Sequence, residues 1–242
     1  MCTLSLLARS HGYLLLFNRD ERRTRAPARA PEPFTRAGVT FVAPIDGEFG
    51  GTWIGANQLG LTLALLNRYE DSPVEPGAGT VSRGLLVLSL LDAQDQADVA
   101  NRLRHGRLGD YQPFTLAAVE SDTEALLFDW TGATLAETRT GVPGMLRTSS
   151  GADQRKAEQS RRAVLEAAVQ AAGKLDAEVL EAFHRSHLPE RGALSVCMHR
   201  PEAETASLSR IEVDPSEIRF DYVPGPPGEG APPVTLRLAR GG

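Results

Sequence analysis

Two apolar runs of strand length, parted by a tight turn, set the amino-terminal edge of this chain. Thr3-Leu4-Ser5-Leu6-Leu7-Ala8 and Tyr13-Leu14-Leu15-Leu16-Phe17 flank Ser10-His11-Gly12, and Gly12 can take positive φ. The spacing predicts an antiparallel hairpin. A two-residue loop at Ser10-His11 pairs Cys2 with Arg19, and a loop at His11-Gly12 pairs it with Glu21. Either register sets the Cys2 thiol beside Asn18-Arg19-Asp20-Glu21. A neighbouring guanidinium stabilises a thiolate, so Cys2 is expected to be a better nucleophile at neutral pH.

The place of the cysteine adds a second expectation. An initiator methionine is usually removed before so small a residue. Its removal puts a free α-amine on the residue that carries the thiol. That amine titrates near about 7.7–8.0, where a general base is useful. Asp20 stands where it can hold the ammonium or orient the amine. This is the logic of an amino-terminal-nucleophile (Ntn) hydrolase.

Met1-Cys2-Thr3 followed by Asn18-Arg19-Asp20-Glu21 resembles the NRDE family, called after that tetrad and also known for transport and Golgi organisation. The resemblance continues through Gly50-Gly51-Thr52-Trp53-Ile54-Gly55 and Asn67, and is looser beyond. More distantly, the pattern of Cys2, Arg19, Asp20 and Asn67 is similar to bile salt hydrolases and penicillin V acylases. The resemblance implies an α+β fold: a four-layer αββα sandwich of two stacked antiparallel sheets with helices on both outer faces. It implies Cys2 as nucleophile, Arg19 and Asp20 as its electrostatic partners, and Asn67 as an oxyanion contact. Asn18, Glu21, Trp53 and Tyr69 are the candidate substrate-binding residues. Related proteins carry a Ser-Asn-type element where this chain has Ser149-Ser150, and an arginine where it has Ala193-Leu194.

Composition narrows the partners. The 242 residues suffice for one domain with a sizeable core, and 1–242 reads as such, with 224–233 linker-like. A net charge of −5 argues against nucleic acid as the main partner. Cys2 and Cys197 make no disulfide framework, and no cofactor or metal motif occurs. Neither a signal peptide nor a run of membrane-spanning length is visible, so a cytoplasmic protein is expected. No GxSxG elbow supports a serine hydrolase.

Along the chain, 22–33 is rich in Arg and Pro and reads as a loop, either solvated or an anion-attracting rim. Strands are expected at 39–43, 52–56 and 61–66, then a lid-like loop at 70–79. Helices follow from a Ser82 cap to 91 and over 95–105. Strands are expected at 115–120, 124–129, 134–138 and 145–148. Helices capped by Asp153 and Asp176 come next, with Val164, Leu165, Ala168 and Val169 as a buried stripe. His184 and His187 lie three apart without a zinc signature and read as packing or surface residues. Strands over 194–199, 205–213, 218–223 and 234–238 complete the chain.

Two functions fit. One is a cysteine Ntn hydrolase cleaving a linear amide C–N bond of a small molecule. The other is a non-catalytic binding or trafficking protein for haem, lipid or another small ligand on the same fold. Oligomeric state is not legible.

Overall fold

The computed structural model describes residues 2–69, 81–142 and 144–241. The expected lid at 70–79 lies outside them. The chain begins with strands β1 (Cys2–Arg9), β2 (Gly12–Arg22), β3 (Arg29–Arg36), β4 (Val39–Ile45), β5 (Ile54–Asn57) and β6 (Thr62–Asn67). Helices α1 (Arg83–Leu90) and α2 (Gln96–His105) follow. Then come β7 (Phe114–Val119), β8 (Glu124–Trp130), β9 (Leu135–Gly141) and β10 (Met145–Ser149). Helices α3 (Gln154–Ala172) and α4 (Ala177–Arg185) precede β11 (Ala203–Val213), β12 (Glu217–Pro224) and β13 (Val234–Ala239).

The strands form two antiparallel sheets. One has the order β10-β1-β2-β11-β12-β13, the other β3-β4-β5-β6-β7-β8-β9. Period-two alternation sorts their side chains. Leu4, Leu6, Leu15 and Phe17 point between the sheets, where Ile54, Ala64 and Leu66 meet them. Leu14 and Leu16 point outward, under Leu165, Leu180 and Phe183 of α3 and α4. Both faces of β2 are therefore covered, which is why its sequence is an unbroken apolar run. On the far side, Leu63, Leu65 and Leu116 pack beneath Val87 and Leu90 of α1 and Val99 of α2. Each fully buried Leu contributes about 1.5–3 kcal/mol. The order is helix, sheet, sheet, helix, as expected.

The hairpin takes the two-residue Ser10-His11 loop: Arg9 faces Gly12 and Cys2 faces Arg19. A Cβ on Gly12 would stand 1.9 Å from the Val213 carbonyl oxygen. Close approach of β11 thus requires glycine there.

Four expectations need correction. Residues 29–36 are strand, not loop, with an irregular register between Arg29 and Glu32. Pro31 and Pro33 are tolerated because β3 is an edge strand with one unpaired side. Residues 194–199 form no strand, since side chains take their backbone groups. Asn18 donates to the Val196 carbonyl and Arg161 to that of Ser195, so a ladder is not needed to satisfy them. Ser82 precedes α1 without a side-chain cap, unlike Asp95, Asp153 and Asp176. The stretch 224–233 is anchored: Pro227 is buried, and its carbonyl accepts from Arg185. Among the described residues no helix is long and apolar enough to cross a membrane.

Candidate active site

Cys2 opens β1 between two neighbours. Arg19 of β2 faces it on one side and Ser149 of β10 on the other. The cysteine borders a cleft of about 300 Å³, whose lining includes Arg19, Glu21, Trp53, Asn67 and Arg83. A second cleft of about 280 Å³ shares Asn67 and adds Tyr69 and Ser149. The Asn67 side-chain amide donates to the Tyr69 hydroxyl at 3.2 Å, leaving its second N–H. The structure thus brings Cys2, Arg19, Glu21, Trp53, Asn67 and Tyr69 around two adjoining clefts.

Strand alternation divides the tetrad. Arg19 and Glu21 serve the cleft, while the side chains of Asn18 and Asp20 bond into the helical side of the sheet. Asn18 is fully buried. Its amide donates to the carbonyls of His184 at 2.8 Å and Val196 at 3.1 Å. Both N–H groups are spent and Asn18 lines neither cleft, so its expected substrate-binding role is corrected to a structural one. The Asp20 carboxylate accepts from Thr205 at 2.6 Å and Arg161 at 3.3 Å. The Asp20 backbone N–H favours the Cys2 thiolate, while the Asp20 charge opposes it.

Arg19 is held on three sides. It pairs with Asp46 and with Glu21, and its guanidinium lies 4.2 Å above the Trp53 ring centre. Arg25 forks onto the same Asp46 at 2.9 and 3.1 Å. Burial opposes ionisation of Asp46, but the bonds from Arg25 and the Phe49 amide, with the Arg19 charge, hold its carboxyl below the usual range. The Arg19 charge is therefore largely neutralised. Burial pushes the Cys2 thiol above its ordinary value, and Asp20 and Glu21 push the same way. The net direction, against the opposing pull of the terminal ammonium, disfavours the thiolate that register alone leads one to expect, so nucleophilic attack calls for a base.

Sequence reasoning missed four residues. Asp46 and Arg25 sit in stretches that read only as turn and rim. Arg83 opens α1 and lines the cleft; its guanidinium donates to the Pro113 carbonyl, and among the described residues it pairs with no carboxylate. A Cβ on Gly51 would stand 2.3 Å from the Gly84 backbone, so the glycine-rich turn lets α1 approach the cleft this closely. Arg161 is the fourth. It lies one turn from Ala157 and Leu165 on the buried stripe of α3, where Val164 and Ala168 were expected and are only half-buried.

His184 is fully buried behind the tetrad. With the Asn18 amide donating to carbonyls, Asn18 Oδ1 accepts from His184 Nδ1 at 3.0 Å, and Ser5 donates to Nε2 at 2.7 Å. Burial, aided by Arg161, drops the imidazole to about 3. An unfolded histidine titrates near about 6.5, so between these values the unfolded chain binds a proton that the folded chain does not. This site's stabilisation is full above about pH 6.5 and is lost as pH falls, by up to about 1.4 kcal/mol per unit. Urea midpoints measured down to about pH 4 should fall less steeply for His184→Gln than for the native chain. Parallel falls would contradict the assignment.

Two stacked antiparallel sheets between helical layers, with a cysteine heading the first strand at a cleft, define the Ntn-hydrolase fold. Solved structures of that kind are similar. The N-acylethanolamine-hydrolyzing acid amidase ortholog of Caenorhabditis elegans matches with a TM-score of 0.62 at 12% identity, covering 94% of this chain and 93% of that one. Penicillin V acylase from Agrobacterium tumefaciens matches at 0.55 and 11%, covering 99% and 86%. A mutant conjugated bile acid hydrolase from Clostridium perfringens matches at 0.55 and 10%, covering 98% and 97%. The Transport and Golgi organisation 2 family profile matches residues 1–222, and the chain belongs to that family. No curated protein sequence matches it.

Proposed function

We propose that this protein is a cysteine Ntn hydrolase acting on a linear amide C–N bond of a small molecule, in the cytoplasm. The observation that carries the reading is the meeting of Cys2, Arg19 and Asn67 at one cleft, with Cys2 at the head of β1. Removal of Met1 gives Cys2 an α-amine. That amine takes the thiol proton as sulfur attacks the substrate carbonyl carbon. The second Asn67 N–H, without a partner among the described residues, donates to the developing oxyanion. The C–N bond then breaks, and the departing amine takes the proton back from the α-ammonium. Water, deprotonated by the same amine, releases the acid from the thioester and restores the thiol. Arg19 holds the strand pair and the Trp53 wall, and the Asp20 backbone N–H steadies the sulfur.

The cleft favours an acceptor-rich substrate. Among the described residues the buried Trp53 indole N–H has no partner, and Arg83 and Asn67 supply further donors. A panel of N-acyl amides with and without a carboxylate, assayed for acid and amine release, tests this. Turnover with preference for the anionic members is expected; inertness toward the whole panel opposes the reading. The raised Cys2 thiol favours one second reading, a non-catalytic pocket for haem, lipid or another small ligand. Tight ligand binding with Cys2 unmodified and no amide release would support it.

A further inference from the structure

Outside the cleft, three metal-ligating side chains converge. His187 follows α4, and Cys197 and His199 lie in the strandless segment before β11. His187 Nε2 and His199 Nε2 are 3.0 Å apart, and Cys197 Sγ is 3.6 Å from His199 Nε2. All three ligand atoms lie within 4.8 Å of one another. Around a tetrahedral zinc ion, bond lengths of about 2.0–2.1 Å to nitrogen and 2.3 Å to sulfur put neighbouring ligands about 3.3 Å (N···N) and 3.6 Å (N···S) apart. The two spacings to His199 Nε2 match to within a few tenths of an ångström, and the third pair, His187 and Cys197, stays within 4.8 Å. We propose that His187, Cys197 and His199 bind one divalent transition-metal ion, with zinc as the fitting case, leaving a fourth position to water.

The donor set selects the class of ion. Two imidazoles and a thiolate suit zinc or copper, not magnesium or calcium. Cys197 is buried and free, and it is not part of the cleft lining, so the reaction proposed above does not use it. A Cβ on Gly228 would stand 2.9 Å from His187 Cε1, so the turn at 227–229 packs closely against the His187 ring. Binding replaces the thiol S–H by a metal–sulfur bond and releases one proton. Ligation through His199 Nε2 requires a proton on Nδ1, which now faces Arg191 at 3.4 Å. The exposed Arg191 then turns to Glu229, already 3.5 Å away.

The competing account is a plain hydrogen bond between the two histidines with Cys197 protonated. Spacing alone could not show the site, because His184, three residues before His187, lies in a separate buried network with Asn18 and Ser5. An ion here would tie α4 to the segment whose Met198 amide bonds to Thr205, the residue that bonds to Asp20.

Cobalt(II) is the probe. Chelator-stripped protein should bind one equivalent, with intense tetrahedral visible bands and a sulfur-to-cobalt band in the near ultraviolet. One equivalent of zinc should displace it, releasing no further protons and raising the melting temperature by several degrees at about 100-fold excess over Kd. The sulfur band should persist in Cys2→Ala and vanish in Cys197→Ser. His187→Gln, at a half-buried position, should weaken zinc roughly 100-fold or more, which keeps the test open should Cys197→Ser misfold. A sulfur band lost in Cys2→Ala but kept in Cys197→Ser would overturn the assignment, as would the absence of any binding below about millimolar Kd.

Discussion

Arg161→Met is expected to lower the stability of the fold by roughly 3–5 kcal/mol, the cost of leaving a buried carboxylate without its partner. The Arg161 and Asp20 side chains are both fully buried and 3.3 Å apart. The same guanidinium donates to the Thr3 hydroxyl, to the Cys2 carbonyl at 3.5 Å and to the Ser195 carbonyl at 2.9 Å. One side chain of α3 thus fixes the head of β1, the tetrad and the strandless segment. Methionine keeps most of the volume but none of the donors. For 242 residues the loss corresponds to a drop of about 6–20 °C in melting temperature. A loss below about 1 kcal/mol would show that the network is not cooperative.

Cys2→Ala should remove amide turnover by a factor of at least roughly 10⁴, because nucleophile and base action pass through one residue and no neighbour can replace the sulfur. The fold should survive. Only one sulfur atom leaves a site already next to a cleft, so stability should change by no more than about 1–2 kcal/mol. Paired assays of acid release and urea unfolding separate the two effects. Residual turnover within tenfold of the native chain would place the chemistry elsewhere.

Much of the fold was legible because local rules agreed. The two-residue loop, the apolar runs and the Asp caps each pointed to elements that the structure contains. The order of strands and helices gave the layers. What was not legible depended on distant partners. Nothing near Arg161 in the chain announces a buried arginine, since its partners lie on β1, β2 and the segment before β11. The edge position of β3, which excuses its prolines, is a property of the whole sheet. The thiol beside Arg19 looked activated from register alone. Of the two registers left open, the one pairing Cys2 with Arg19 holds, but Asp46, which neutralises that arginine, is 27 residues further on. Asn18 shows the same limit, because alternation fixes its face but not the carbonyls that occupy it.

The central claim is that Cys2 becomes an amino-terminal, reactive nucleophile at the cleft. Intact mass of untagged protein purified from cells, before and after brief exposure to a mild thiol probe, tests it most directly. Loss of the Met1 mass with fast single labelling mapped to Cys2 is the predicted result. A retained Met1 with an inert Cys2 would contradict it and turn the cleft into a binding site on a hydrolase fold.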